Sequence, residues 1–145
     1  MNTKKALHAG WIIPVRPKGQ ILEKHTLVIE NQKIKSILPT EDWKRRKKSG
    51  NIEELNLNSC ALIPGFVNTH THSPMSLLRG IAEDLPFDEW LKNHIWPLED
   101  AFVNKEFVRD GTELSIAEML LSGTTCFNDM YFFGDETAKI SIETG

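Results

Sequence analysis

The sequence predicts an α/β protein in two parts: a unit of short β-strands over residues 1–60, and the opening of a parallel α/β architecture over residues 61–145. Three observations point there. From residue 61 the elements run strand, helices, strand, helix, and parallel strand neighbours need helical crossovers. The apolar run 61–67 turns polar in Asn68-Thr69-His70-Thr71-His72, as a barrel strand does when it delivers side chains to its C-terminal mouth. Before residue 60 the apolar residues come instead in short runs separated by turn formers.

Residues 9–15 are largely apolar and precede the turn Arg16-Pro17-Lys18-Gly19, so a first strand is expected there. Residues 21–30 read as a second strand, and Asn31-Gln32 as a tight reversal into a third over 33–38. The alternation in K-I-K-S-I-L (33–38) is imperfect, as in a strand with one covered face. Pro39 and the charged residues up to Gly50 close this β unit, with the basic run 44–48 read as a solvated connection. Three or four strands with one apolar face need a partner layer, and nothing in the first 60 residues is read as supplying it.

A strand over 61–68 then leads to His70 and His72. Ser73 reads as an N-cap with Pro74 at the first helical position, opening a short apolar patch (Met75, Leu77, Leu78) that ends at Gly80. A helix from Pro86 places Phe87, Trp90, Leu91 and Ile95 on one face, and Pro97 is expected to break it. A longer helix follows Asn104, with Phe107, Val108, Leu114, Ala117 and Leu121 at helical spacing, and stops at Gly123. Residues 124–133 are rich in β-branched and aromatic side chains and read as a buried strand. Asp135 reads as the cap of a last helix over 136–143.

Composition excludes several classes. Hydrophobic residues make up 40% and charged residues 26% of the 145, which is ordinary for a globular protein. No apolar run approaches the roughly 20 residues of a membrane helix. Lys4 and Lys5 precede an apolar stretch, but His8, Pro14 and Arg16 interrupt it, so a mature cytoplasmic start is expected rather than a signal peptide. A net charge of −3 argues against a dedicated nucleic-acid binder. Cys60 and Cys126 belong to no Cys-x-x-Cys pair, and reduced thiols are expected.

The chemistry concentrates at residues 62–72. In an extended strand side chains alternate, so His70 and His72 point to the same side. Two imidazoles on one face can share a divalent ion such as Zn²⁺, which lowers the pKa of bound water toward neutrality. With five histidines in the chain a His-x-His arises by chance in roughly one sequence in six, so the pair gains weight only from its place at a strand end. Asp129, at the end of the second apolar strand, either faces the same mouth or orders a neighbouring loop. Trp90 and Trp96 read as core anchors rather than stacking platforms. Arg79 either meets an anionic group or, as helix-end arginines usually do, faces water or a carbonyl; His94, His25 and His8 read as structural.

The run L-I-P-G-F-V-N-T-H-T-H-S-P-M-S-L-L-R-G (62–80) resembles the metal-binding opening of the amidohydrolase superfamily, in its cytosine/triazine-hydrolase-like branch. L-P-F-D-E-W-L (85–91), I-W-P-L-E (95–99), G-T-T-C-F-N-D-M-Y-F-F (123–133) and the early W-I-I-P-V (11–15) resemble the 5′-methylthioadenosine/S-adenosylhomocysteine deaminases in particular. The resemblance implies a (β/α)₈ metal-dependent hydrolase barrel carrying a small β-sandwich. Residues 1–60 would be part of the sandwich, and 61–145 the first two β/α units. It implies one divalent metal, usually zinc, which activates water to displace ammonia from an adenine ring. By position His70 and His72 would be metal ligands, and Glu99 the substrate-binding carboxylate that accepts hydrogen bonds from the ribose hydroxyls.

Such a barrel needs about 250 residues, and a catalytic zinc site usually has three protein ligands plus water. Only 85 residues follow Cys60, and two ligands are visible. The expectation is therefore the N-terminal part of a longer enzyme, or a truncated product, inactive by itself. Its partner would be a small-molecule nucleoside, with no nucleic acid and no membrane, and either a homo-oligomer or a complementing C-terminal segment. Two alternatives stay open: another amidohydrolase, such as a triazine chlorohydrolase or guanine deaminase, and a non-catalytic module with inert histidines.

Overall fold

The computed structural model describes residues 4–47 and 51–145. Lys48, the last residue of the basic run, and Ser49-Gly50 after it lie outside the described residues. The chain divides into two compact units, Met1–Pro64 and Gly65–Gly145. Among the described residues no helix is long and apolar enough to cross a membrane.

The first unit is a four-stranded sheet in the order β3-β2-β1-β4. Strand β1 (Lys4–Ile12) pairs antiparallel with β2 (Leu22–Glu30), from Lys4 opposite Glu30 to Ile12 opposite Leu22. The first strand thus lies earlier than residues 9–15. Cross-strand pairing, rather than local apolarity, decides its ends. Asn31 and Gln32 both take positive φ, 50° and 63°, the two-residue turn whose twist matches flanking strands, and lead into β3 (Lys33–Pro39). On its other edge β1 pairs parallel with β4 (Ile52–Leu62).

Two expectations fail here. The run 44–48 is not simply a solvated connection, because Lys44, Arg45 and Arg46 form the last turn of helix α1 (Thr40–Arg46). Basic side chains there favour the negative end of the helix dipole, and Lys44 and Arg45 bond back to Glu41 and Asp42. The helix is also the missing cover of the sheet: Trp43, 6% exposed, packs with Ala6 and Val28. On the other face Leu27 lies with Ala9 and Ile12. One tryptophan in a charged heptapeptide gives too little periodicity to mark a helix, yet it buries more apolar surface than most core residues.

The second unit opens with β5 (Phe66–Thr71), not with a strand over 61–68. Ala61 and Leu62 end β4, and Pro64-Gly65 separates the two strands. One apolar run is therefore shared between two sheets, because proline supplies no donor to continue a ladder. Strand β5 pairs parallel with β6 (Thr124–Asp129), with Thr71 opposite Asp129. Their crossover contains a 3₁₀ turn (Ser73–Leu78) and helices α2 (Phe87–Trp90), α3 (Trp96–Phe102) and α4 (Lys105–Ser122).

Pro97 does not break the helix. Residues Leu91–Ile95 form a π-turn in which the Trp96 amide bonds to the Leu91 carbonyl, so α2 and α3 run on through Pro97, the second residue of α3, and the missing proline amide falls directly after this wide turn. Helix α4 has the predicted ends. The Asn104 side chain accepts from the Phe107 amide at 2.9 Å, and Gly123 closes the helix at φ 85°. Strand β6 stops at Asp129, short of 133, and its residues are exposed or half-buried rather than buried. Helix α5 (Gly134–Thr144) starts from Phe133, which has φ 52° and makes no side-chain cap, so Asp135 is not the cap. It lies in the first turn, paired with Lys105 at 3.2 Å.

Candidate metal and substrate site

Strand β5 carries His70, and His72 follows one residue beyond its end, where it holds the cap position of the 3₁₀ turn; both imidazoles stand on the same side. Both are exposed, and their ring centres lie 5.2 Å apart with planes tilted by 41°. Two imidazoles on one tetrahedral ion at an ordinary Zn–N distance have ring centres about 5 Å apart. The pair thus fits a shared zinc ion, and neutral imidazole is a suitable donor. Among the described residues no third His, Cys, Asp or Glu completes a metal-binding cluster.

The segment after His72 is held from two sides. Asp129, at the end of β6, accepts hydrogen bonds from the backbone amide and the hydroxyl of Ser73, each at 2.7 Å. Ser73 is not the cap: it is the first residue of the 3₁₀ turn, whose cap position is His72, and its hydroxyl donates across to β6. Of the two roles open to Asp129, it takes the one that orders a neighbouring segment. From the other side Gly111 of α4 packs so closely on Pro74 that an added Cβ would fall on the Pro74 carbonyl and 2.8 Å from its Cα. The Met130 amide donates to the Thr71 carbonyl at 3.0 Å, which carries the parallel pairing to the histidine end.

Beside His72 a cleft of about 620 Å³ is lined by Met75, Phe87, Trp90, Trp96, Glu99 and Tyr131, among others. Glu99 is half-buried on α3 and accepts the hydroxyl hydrogen bond of Tyr131 at 2.8 Å. The ring of Tyr131 lies 5.9 Å from that of His72. His72 and Glu99 thus face one cavity, and Tyr131 touches both. Burial, then the Glu99 carboxylate and its charge, then Asp129, push the Tyr131 hydroxyl above the ordinary phenol range, so it stays a donor.

Trp90 and Trp96 are wall residues of this cleft rather than core anchors, and Trp96 is 51% exposed. Arg79 meets an anionic group rather than water or a carbonyl: it forms a two-pronged pair with the Glu118 carboxylate at 2.7 and 2.9 Å, on the turn-to-α4 contact. His8 bonds Thr26 and Glu54, and His25 bonds the Glu23 carbonyl, as structural histidines do. A second groove of about 640 Å³ between α4, β6 and α5 is lined by apolar side chains such as Leu120 and Phe127 and by hydroxyls such as Thr125 and Ser141, and contains no histidine. Tyr131 is the residue that sequence reasoning missed. Assigning 124–133 to one strand hid it; a polar hydroxyl just past a parallel strand's C-terminal end was the available signal.

The amidohydrolase family model matches residues 61–144. The chain belongs to the amidohydrolase family. It is 48% identical over 137 residues to the 5-methylthioadenosine/S-adenosylhomocysteine deaminase of Saccharophagus degradans, covering 94% of this chain and 30% of that relative. It is 47% identical over 125 residues to the 5′-deoxyadenosine deaminase of Methanococcus vannielii, covering 85% and 28%. An adenosine deaminase from Xanthomonas campestris, solved with bound zinc, superposes with a TM-score of 0.91 at 44% identity, covering 97% of this chain and 32% of that one. The chain thus spans about a third or less of the length of these amidohydrolases.

Proposed function

We propose that this chain supplies the N-terminal part of a zinc-dependent amidohydrolase that deaminates 5′-substituted adenosines, 5′-methylthioadenosine and S-adenosylhomocysteine foremost. One observation carries the reading: two imidazoles 5.2 Å apart stand beside a cleft that also presents a half-buried carboxylate. The names of the relatives support the reaction class, and the zinc of the Xanthomonas neighbour supports the metal.

In this reading residues 1–60 are part of a small β-sandwich and 61–145 begin a (β/α)₈ barrel, whose further units cover the open edges of β5 and β6. His70 and His72 hold the metal through neutral ring nitrogens. When bound, the zinc supplies a Lewis acid that makes water a nucleophile near neutral pH, for attack on the amino-bearing ring carbon and loss of ammonia. Glu99 offers acceptor oxygens to the vicinal ribose hydroxyls, and charge strengthens both bonds. Asp129, through Ser73, keeps the segment after His72 in place. Met75, Trp90 and Trp96 give the cleft apolar walls that exclude water from the bound nucleoside.

The reading needs a third metal ligand and an acid–base group, which the described residues do not place beside His70 and His72. It puts both in the remainder of the barrel, whether continuous with this chain or supplied as a complementing segment. Exposed Cys60 and Cys126 suit a reducing, cytoplasmic setting. A ribose-binding carboxylate favours nucleosides over triazines or guanine, which lack the sugar.

Ammonia release from 5′-methylthioadenosine, S-adenosylhomocysteine and 5′-deoxyadenosine by the complete, zinc-loaded enzyme tests the proposal. Activity on triazines or guanine with none on these nucleosides overturns it. The 145 residues alone are expected to bind zinc weakly and to release no ammonia; turnover with one equivalent of zinc refutes that part.

A further inference from the structure

Glu99 is on a helix, and the terminal torsion of a glutamate side chain is broad and soft. A carboxylate that must meet two vicinal hydroxyls at once needs its plane held, or each binding event bears the cost of ordering it. Among the described residues the holding contact is the Tyr131 hydroxyl, 2.8 Å from Glu99 Oε1. A carboxylate has about four lone-pair positions, so this bond uses one and leaves Oε2 and the second position on Oε1 free. The π-turn at Leu91–Ile95 matters here as well. It inserts one residue into the helix, which rotates everything downstream by about 100°. Glu99 reaches Tyr131 in that rotated register.

Tyr131 is fixed in turn. Its ring lies 5.9 Å from His72 and packs edge-on against Phe132, with centres 5.0 Å apart. Resting on the reading of Glu99 as the sugar-binding carboxylate, we propose that Tyr131 is the positioning residue of Glu99: it orients the carboxylate for the ribose diol and ties its position to the metal end of the cleft. Its hydroxyl bonds Glu99 while its ring faces His72, and the role assigned to it is exerted through the Glu99 carboxylate.

The test is a double-mutant cycle in the complete, zinc-loaded enzyme, with 5′-methylthioadenosine and its 2′-deoxy and 3′-deoxy analogues as probes. Tyr131→Phe keeps the ring and removes the hydroxyl. It is expected to raise KM for the ribonucleoside about tenfold, with kcat changed less than about twofold, and with zinc content and thermal midpoint unchanged. The penalty for deleting a ribose hydroxyl from the substrate should shrink in the variant. In a Glu99→Ala background the same substitution should change KM by less than about twofold, since its only route of action is gone.

The proposal is overturned if Tyr131→Phe leaves KM and deoxy-analogue discrimination as they were, if its effect persists undiminished without Glu99, or if it sheds zinc. Failure of the underlying reading looks different. There Glu99→Ala leaves KM for the ribonucleoside unchanged and the parent enzyme does not distinguish the deoxy analogues, which removes the role that Tyr131 is assigned to support.

Discussion

The unit Met1–Pro64 and the unit Gly65–Gly145 use the same kinds of residue to opposite ends. In the first, four strands and one short helix bury Ala6, Ala9, Ile12, Leu27, Val28 and Trp43. In the second, Phe66 and Val67 at the start of β5 are 55% and 62% exposed, and Leu121 and Ile142 are more exposed still. Apolar strand residues on a two-stranded sheet have no third strand beside them, whatever their propensity. What the second unit buries includes the scaffold of its site, Ser73 and Pro74 after His72 and Val108 and Thr112 on the helix packed against them, beside scattered residues such as Ile116 and Ile140. One unit is organised around a core, the other around the end of a parallel strand pair.

That contrast can be broken by substitution. The largest effect is expected from His70→Ala or His72→Ala in the complete enzyme: loss of zinc on dialysis, and a fall in kcat/KM on the order of a thousandfold or more. Unfolding of the first unit should be unchanged, and retention of stoichiometric zinc would show that the imidazoles do not hold it. The counterpart in the first unit is Trp43→Ala, which should cost about 3–5 kcal/mol in urea unfolding by emptying the space between α1 and the sheet. Its signature is lost stability with zinc affinity intact.

Next comes Glu99→Gln, which keeps the shape and removes the charge. An increase in KM of about fiftyfold is expected, with a smaller change in kcat. Gly111→Ala should cost about 2 kcal/mol, because the new methyl meets the Pro74 backbone, and it should also weaken zinc binding through the displaced His72 segment. A variant that loses stability but keeps full zinc affinity would show that the Gly111–Pro74 contact serves packing and not the metal site.

The smallest effect is a pH dependence. Hydrogen bonds from Lys47 and then His8 hold the Glu54 carboxyl below the usual carboxylate range. A depressed folded-state pKa contributes stability that is present above the unfolded-state value and lost as pH falls through the folded one. Glu54→Gln should therefore flatten the decline of the first unit's stability below about pH 4.5, with the second unit's acid profile unchanged. Urea midpoints against pH would show it, and an unaltered acid limb would show that the contact contributes nothing.

Much of this was legible in the residues themselves. Asn31-Gln32 and its flanking strands, the ends of α4 at Asn104 and Gly123, and the shared side of His70 and His72 all follow from local rules. Turn dihedrals, capping and strand alternation are each decided within a few residues. The family resemblance singled out Glu99, which local chemistry alone would have read as a surface acid, and the structure puts it on the cleft wall bonded to Tyr131.

The remainder depended on partners distant in the chain. Whether residues 61–68 made one strand or two was settled by which neighbours each half paired with. That α1 would form was settled by the surface offered to Trp43. Asp129 reaches Ser73 across 56 positions, and Tyr131 reaches Glu99 across 32. Local sequence determines what a segment can form at low cost, because propensity and alternation act over single residues; which side chains meet is decided by packing, where contacts across the fold outweigh those short-range preferences.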